Sequence, residues 1–381
     1  MYNILKFLTQ INPPRNYKNI NSLNKVADYI KNSFETIGLG VEFQEFIVDG
    51  NRYKNVIATL NPQYSQRIIV GGHYDVCGDI QGADDNASAV AGIIQSAKQL
   101  YEYKEQLNFR IDFVAFTLEE PPYFATKNMG SYIHAQYLKT NNIDVIGMIN
   151  YEMIGYLTDE PNSQEYPIEA MKFLYPATGN FIAIASNESS TDFLEQLDFD
   201  NLDKEIDSCN IVLPNGLSEI TASDHINYWN FGFNAVMITD TAHFRNKNYH
   251  TVNDTIETID FKKMQYSVDM VVKSILNLNN IETDIILKLC AIKWIQYCGI
   301  STSCRTIYWD IAINLCEDSS IFEKYILSYE NGKESLKYDT SSKASFKFYE
   351  DIKDYELRQL NSEEKTIFFR GYNILKSDLK L

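Results

Sequence analysis

The sequence has no long apolar run, no excess of basic residues and no clear secretion signal. No stretch of about 18 apolar residues occurs, which excludes a transmembrane helix of ordinary hydropathy. Lysine and arginine number 34 against 51 aspartates and glutamates, so the net charge is −17. Nucleic acid and anionic membrane surfaces are therefore poor partners. The N-terminus lacks a basic segment followed by a clean apolar core, and we expect a cytoplasmic protein.

Cysteine is sparse, and its six positions contain no Cys-x-x-Cys pair. Structural zinc sites usually close short loops of that kind, so the spacing does not indicate one. A chain of 381 residues can bury enough apolar surface to fold without disulfides. We therefore expect buried, reduced thiols. They stand at Cys77, Cys209, Cys290, Cys298, Cys304 and Cys316.

Short apolar runs alternate with helical patterns over the first 280 residues. This alternation predicts an α/β fold whose central sheet is mixed, largely parallel and flanked by helices. Asp49-Gly50 between two alternating runs indicates a hairpin. The predicted strands are 41–48, 53–60, 67–73, 111–118, 145–150, 181–185 and 235–239, and the predicted helices are 22–37, 86–103, 190–197, 223–231 and 261–280.

The character of the sequence changes near Thr283, where the motifs described below stop and cysteine becomes frequent. We predict one domain over 1–283 and a C-terminal region of helical or mixed character over 284–381, with no role assigned. Within that region the pattern predicts helices over 285–297 and 306–315, and Asn331-Gly332 is a modest hairpin signal.

Acidic residues and a histidine stand at the carboxyl ends of three predicted strands. His73, the pair Glu119-Glu120, and Glu152 each follow an apolar run directly. Ligands of open α/β sheets bind beyond the carboxyl ends of the strands. We therefore expect these side chains to converge at one edge of the sheet.

His73 belongs to the richest motif, which continues through Asp75 to Asp84-Asp85-Asn86. A neutral imidazole and carboxylates are good zinc ligands. Asp75 is placed either to accept a hydrogen bond from the second ring nitrogen of His73 or to orient the loop. Alone, Asp84-Asp85-Asn86 is more typical of a helix N-cap and turn than of a metal site, although one aspartate can cap while the other binds a metal.

The other acids also have less specific interpretations. Glu119-Glu120 precedes Pro121 and is compatible with a solvated acidic turn. Glu152 is flanked by apolar residues, where a carboxylate needs either a metal or a basic partner.

Histidine is rare, so its positions carry information. His250 lies in the patterned segment 249–255 and His225 follows Ser223-Asp224. We interpret His134 as a structural residue of a helix and His243 as a loop residue.

Five motifs in this order resemble those of the two-zinc aminopeptidases and glutamate-carboxypeptidase-like exopeptidases, which are also related to the glutaminyl cyclases. The resemblance covers about residues 1–282, which would make that part a zinc peptidase catalytic domain. The motifs are His73-x-Asp75, Gly82-Ala-Asp-Asp85-Asn, Glu119-Glu120, Glu152-Met-Ile-Gly and Tyr249-His250-Thr-x-x-Asp-Thr.

The resemblance implies a cofactor of two zinc ions per chain. It implies that Asp85 bridges both ions, that Glu120 and His250 complete one position, and that His73 and Glu152 complete the other. The family often has aspartate where this chain has Glu152, a longer ligand.

The resemblance also implies the catalytic residues. Glu119 would be the general base, Asp75 would stand behind His73, and the peptide bond Asp85–Asn86 would be cis. Secreted relatives can carry a tyrosine and a disulfide before Ser-Asp-His, and residues 219–222 contain neither. Asp224 or His225 is the alternative for stabilising the oxyanion.

The expected activity is hydrolysis of the N-terminal residue of a peptide, with no partner beyond the substrate indicated. Three alternatives stay open: a one-zinc glutaminyl cyclase, which is an acyltransferase; a carboxypeptidase for acidic C-termini, which needs arginines such as Arg110 or Arg245; and a non-catalytic binding protein. Side-chain preference and oligomeric state are not encoded in these motifs.

Overall fold

A computed structural model describes residues 1–202, 204–213 and 223–296 of the chain. The chain divides into two compact units, Met1–Leu276 and Asn277–Leu381. The domain boundary expected at 283/284 stays a prediction. The predicted helix over 306–315, the hairpin at Asn331-Gly332, and residues 219–222 lie outside the described residues.

The described residues form one eight-stranded sheet in the order β1-β2-β4-β3-β5-β8-β6-β7. The pairs β3–β4, β3–β5, β5–β8 and β6–β7 are parallel, whereas β1–β2, β2–β4 and β6–β8 are antiparallel. The predicted fold class is therefore confirmed. The strands are β1 (Gly40–Val48), β2 (Asn51–Leu60), β3 (Arg67–His73), β4 (Arg110–Phe116), β5 (Val145–Glu152), β6 (Phe181–Asn187), β7 (Asp207–Leu213) and β8 (Ala235–Thr239).

Helices pack against this sheet. None of the described helices is long and apolar enough to cross a membrane. They are α1 (Tyr2–Thr9), α2 (Ile20–Ile37), α3 (Ala89–Glu102), α4 (Gly130–Thr140), α5 (Thr191–Leu197), α6 (His225–Asn230) and α7 (Phe261–Gln296).

The predicted elements differ from the observed ones mainly at weak signals. The strand β7 was not predicted, because Asp207, Ser208 and Asn210 interrupt its apolar pattern at the edge of the sheet. Two separate helices were expected over 261–280 and 285–297. The structure instead has the single helix α7, since its sequence contains no glycine or proline that would end it.

Two glycines let β3 lie close to its neighbours. A Cβ on Gly71 would lie 2.6 Å from the ring of Phe116, and one on Gly72 would lie 2.6 Å from the carbonyl oxygen of Tyr151 and 3.1 Å from Ala89 of α3. Gly72 therefore permits the start of α3 to approach the carboxyl end of β3. This brings the loop before α3 beside His73.

Candidate metal centre

The six side chains expected to form a site converge at the carboxyl ends of the parallel strands. His73 ends β3, Glu152 ends β5, and Glu119 and Glu120 follow β4. Asp85 lies in the segment Ala83–Ser88 before α3, and His250 lies in the loop after β8. All but His250 are nearly inaccessible to solvent, and the His250 side chain is 28% exposed.

Asp85 lies between the two histidines. Its Oδ1 is 3.5 Å from Nε2 of His73, and its Oδ2 is 3.0 Å from Nε2 of His250. A second carboxylate stands beside each imidazole: Glu152 Oε2 lies 3.3 Å from His73 Nε2, and Glu120 Oε2 lies 3.3 Å from His250 Nε2. The centre thus consists of two histidine–carboxylate pairs that share one aspartate.

The backbone around Asp85 is held by Asp254. One carboxylate oxygen of Asp254 accepts the N–H of Asp84 at 2.8 Å, and the other accepts the N–H of Asp85 at 3.0 Å. Gly82 has φ +59°, and Arg15 donates to its carbonyl at 2.6 Å. The peptide bond Asp85–Asn86 is cis, as the resemblance implied.

The helix cap expected within Asp84-Asp85-Asn86 is not observed, and Asp84 makes other contacts. Its carboxylate accepts the N–H of Gly155 at 2.9 Å and a hydrogen bond from the amide of Asn246 at 2.7 Å. These contacts hold the loop against the segments that follow β5 and β8, and no side-chain cap bond begins α3.

Glu152 is oriented by neutral donors. Asn86 Nδ2 donates to its Oε2 at 3.0 Å, and Ser223 Oγ donates to the same atom at 2.6 Å. The amide oxygen of Asn86 accepts the N–H of Met153. Among the described residues no lysine or arginine pairs with Glu152, so the structure does not support the salt-bridge interpretation.

Asp75 orients the acidic loop. Its two carboxylate oxygens accept the N–H groups of Glu119 and Glu120, each at 3.2 Å. Its Oδ1 lies 3.6 Å from Nδ1 of His73, which is beyond a hydrogen bond. Of the two roles expected for Asp75, the contacts therefore favour loop orientation.

The electrostatics of the centre favour a bound cation. Burial and the adjacent acids raise the pKa of Glu119 well above its usual range despite the opposing effect of His73. Burial and Asp85 raise the pKa of Glu120 to about 8, and burial also raises the pKa of Glu152. Buried carboxylates that repel one another are stabilised in the ionised form by a cation.

Burial acts on the pKa of the two histidines in the opposite direction, but their carboxylate neighbours outweigh it. Burial lowers the pKa of His73, but Glu119 and Glu152 outweigh that effect, so its pKa is raised. Burial likewise lowers the pKa of His250, but its hydrogen bonds to the carboxylates of Asp85 and Glu120 outweigh that effect, so its pKa is raised to about 10.

The donor set fits zinc, which binds imidazole nitrogen and carboxylate oxygen. Ligand atoms of His73, Asp85 and Glu120 lie within 4.8 Å of one another. Oε1 of Glu120 is buried without a hydrogen-bond partner, as expected of an atom that faces a metal. The hydrogen bonds of the buried Arg15 go to backbone carbonyls and not to these acids.

Residues 55–275 match the family model described as Peptidase family M28. The chain belongs to this family. It is therefore a metallopeptidase, and membership implies zinc and a peptide substrate. Over 282 residues the chain is 38% identical to the uncharacterised protein YfbL of Escherichia coli strain K12. The aligned region covers 72% of this chain and 86% of that protein.

Two more distant relatives extend the comparison. Leucine aminopeptidase 1 of Ajellomyces dermatitidis is 24% identical over 223 residues, which span 55% of this chain and 52% of that protein. The crystal structure of Tannerella forsythia glutaminyl cyclase superimposes with a TM-score of 0.54 and 20% identity, over 72% of this chain and 97% of that one. The second likeness shows the fold alone.

A cavity of about 100 Å³ lies beside the candidate metal centre, and its lining includes Glu152 and Tyr249. The ring of Tyr249 stacks on His250 at 3.8 Å, and the cavity wall is mainly apolar. The sequence does not predict this cavity, because its walls come from β6, β7, β8 and two loops that are far apart in the chain. Its apolar lining includes Tyr166, Met171, Ala183, Ala185, Met237 and Phe244.

Two of the remaining histidines, His134 and His225, are buried in other surroundings. His134 lies in α4 with its Nδ1 2.7 Å from the hydroxyl of Tyr228, and burial lowers its pKa to about 4. His225 is buried edge-on against Trp229, and burial lowers its pKa to about 3. His225 is thus a buried neutral imidazole. Burial raises the pKa of Asp224 to about 7.

The arginines that a carboxypeptidase would use lie elsewhere. Arg110 pairs with Asp112 at 2.7 Å, at the amino end of β4. Arg245 donates to the carbonyl of Phe181 at 2.9 Å and to the side chain of Gln164 at 2.8 Å. Neither contact reaches the candidate metal centre.

Proposed function

We propose that the chain is an aminopeptidase that hydrolyses N-terminal residues from peptides at a centre of two zinc ions. The observation that carries the proposal is Asp85, whose two oxygens face His73 and His250 separately. A carboxylate in this position suits a bridge between two cations.

We assign the proposed ligands to two zinc positions. His73 and Glu152 would hold one zinc, Glu120 and His250 the other, and Asp85 both. When bound, the zinc ions supply Lewis acidity, which lowers the pKa of water towards ~7 and polarises the scissile carbonyl.

Glu119 is the proposed general base. It is 6% exposed, and its Oε2 lies 3.7 Å from Nε2 of His73, so it faces the centre. It takes the proton of the attacking water and gives it to the leaving amine. Asp75 acts as a positioning residue, because it holds the N–H groups of Glu119 and Glu120.

The surroundings favour a substrate with a free amino terminus. An ammonium group is attracted to a cluster of acids, and the apolar cavity beside Glu152 can accept the side chain of the first residue. The two candidate arginines for a substrate carboxylate lie outside the centre, which weighs against the carboxypeptidase alternative.

Hydrolysis of aminoacyl-nitroanilides tests the proposal. We expect wild-type turnover that is lost on chelation, restored by zinc, and reduced ~10²–10⁴-fold in Glu119→Gln. The matched control is Glu102→Gln, an exposed acid near the end of α3, which should keep full activity. Equal activity in wild type and Glu119→Gln would refute the assigned base.

Two further substrates separate the alternatives. An N-acetylated peptide should resist cleavage if the enzyme is an aminopeptidase and should be shortened if it is a carboxypeptidase. A peptide that begins with glutamine should lose that residue, whereas a glutaminyl cyclase would convert it to pyroglutamate. One zinc per chain instead of two would also favour the cyclase.

A further inference from the structure

Cys77 lies beside one half of the candidate metal centre. It follows His73 by four residues, in the loop after β3, and is half-buried. Its sulfur lies within 4.8 Å of ligand atoms of both Glu120 and His250. None of the motifs identified in the sequence includes this thiol.

A second observation points to a ligand at the same place. Oε1 of Glu120 is buried and has no hydrogen-bond partner, and Glu120 is only 4% exposed. Asp85 Oδ2 lies 3.0 Å from Nε2 of the same His250. Asp85, Glu120 and His250 supply three donors to this position, and zinc takes four or five ligands, so a thiolate can be added and a position for water remain.

The loop that carries Cys77 is held in place by the N-terminal segment. The amide of Asn16 donates to the carbonyl of Gly78 at 2.6 Å, and the N–H of Val76 donates to the carbonyl of Arg15 at 3.3 Å. Asn16 and Arg15 are both buried. Cys77 is therefore bracketed by two anchored residues, as is typical of a positioned ligand.

We infer that Cys77 is a direct ligand of the zinc ion held by Glu120 and His250. The inference rests on the two-zinc centre of the proposed function. Coordination replaces the thiol proton, which is released to solvent. The two zinc positions then differ in kind: one has nitrogen and oxygen donors only, and the other also has sulfur. Because thiolate is a soft ligand, the position with Cys77 should favour zinc over manganese or magnesium.

Cobalt substitution tests the inference without relying on activity. Wild type, Cys77→Ser and Cys209→Ser are loaded with Co²⁺, the metal bound per chain is measured, and absorption spectra are recorded. A cobalt–thiolate bond gives an intense charge-transfer band in the near ultraviolet. We expect the band in wild type and in Cys209→Ser, and its loss in Cys77→Ser, where the visible cobalt bands remain. Cys209 lies in β7 beside Tyr166 and Tyr175, so its variant is a matched control.

The outcomes separate the inference from the function on which it rests. Coincident near-ultraviolet spectra of wild type and Cys77→Ser, with two cobalt ions bound in each, would overturn the role of Cys77 and leave the two-metal centre intact. A wild-type chain that binds no cobalt or zinc would overturn both.

Alkylation of the wild-type chain gives a second measurement that needs no variant. Iodoacetamide modification is followed peptide by peptide, by mass spectrometry, with and without zinc. We expect zinc to slow modification of Cys77 at least ~10-fold, since a coordinated thiolate is shielded, and to leave Cys209 unchanged. Equal rates at Cys77 in the two states would contradict the assignment.

Discussion

Replacing Gly82 by alanine should damage the centre without touching a proposed ligand. A Cβ at this position would lie 2.2 Å from the carbonyl oxygen of Asp85, and real Cβ contacts essentially never fall below 3.0 Å. Asp85 must therefore move by about 0.8 Å, or the φ of +59° must change. A misplacement of ~1 Å in a reacting group costs about 100-fold in rate, which corresponds to about 2.7 kcal/mol.

The matched control is Gly50→Ala, in the turn between β1 and β2. Gly50 has φ +79°, but a Cβ there would meet nothing within 4 Å. This variant has only the strain of a non-glycine residue at positive φ, which should lower the free energy of unfolding by about 1–2 kcal/mol. The assay compares kcat/KM, zinc content and urea unfolding for both variants and wild type. We expect Gly82→Ala to lose about 100-fold in kcat/KM and at least part of its zinc, and Gly50→Ala to keep both. A folded Gly82→Ala protein with wild-type kcat/KM and full zinc would refute the reasoning.

Three further predictions follow from other contacts. Ser223→Ala removes the hydrogen bond to Glu152 and should weaken one zinc position by ~10–100-fold in a chelator competition, with the other position unchanged. Without metal, burial raises the pKa of Glu120 to about 8, and Asp85 and Glu120 overcome burial to raise that of His250 to about 10. Since both folded-state values exceed the unfolded ones, their stabilisation is complete at low pH and is lost as pH rises. Between about pH 5 and about pH 8, urea unfolding of chelated protein should show a larger loss of stability in wild type than in Glu120→Gln, and an equal change in both would contradict these assignments. Ala185→Leu should fill part of the cavity and shift the preference in kcat/KM from large towards small N-terminal residues by ~10-fold or more, whereas an unchanged profile would exclude the cavity as the side-chain pocket.

The central sheet could be predicted because its inner strands are continuous apolar runs. β3, β4 and β5 are almost wholly buried, and their sequences contain little that competes with a buried strand. The residues proposed for the centre follow these runs directly, so the positions of His73, Glu119 and Glu152 could be read from the same pattern. This part of the prediction depended on local sequence alone.

The residues that hydrogen-bond to the proposed ligands could not be predicted in the same way. Asp254 binds the backbone of Asp84 and Asp85 from about 170 residues away, and Ser223 reaches Glu152 from 71 residues away. Such contacts depend on the order of strands in the sheet. The sequence does not reveal that β8 lies between β5 and β6, or that β6 runs antiparallel to β8. The apolar cavity depends on that same arrangement.

Anomalous X-ray scattering from crystals of the zinc-loaded chain directly tests whether Asp85 bridges two zinc ions. We expect two zinc peaks, one on each side of the Asp85 carboxylate, within bonding distance of His73 and His250 respectively. A single peak, or peaks that leave either oxygen of Asp85 without a metal, would contradict it.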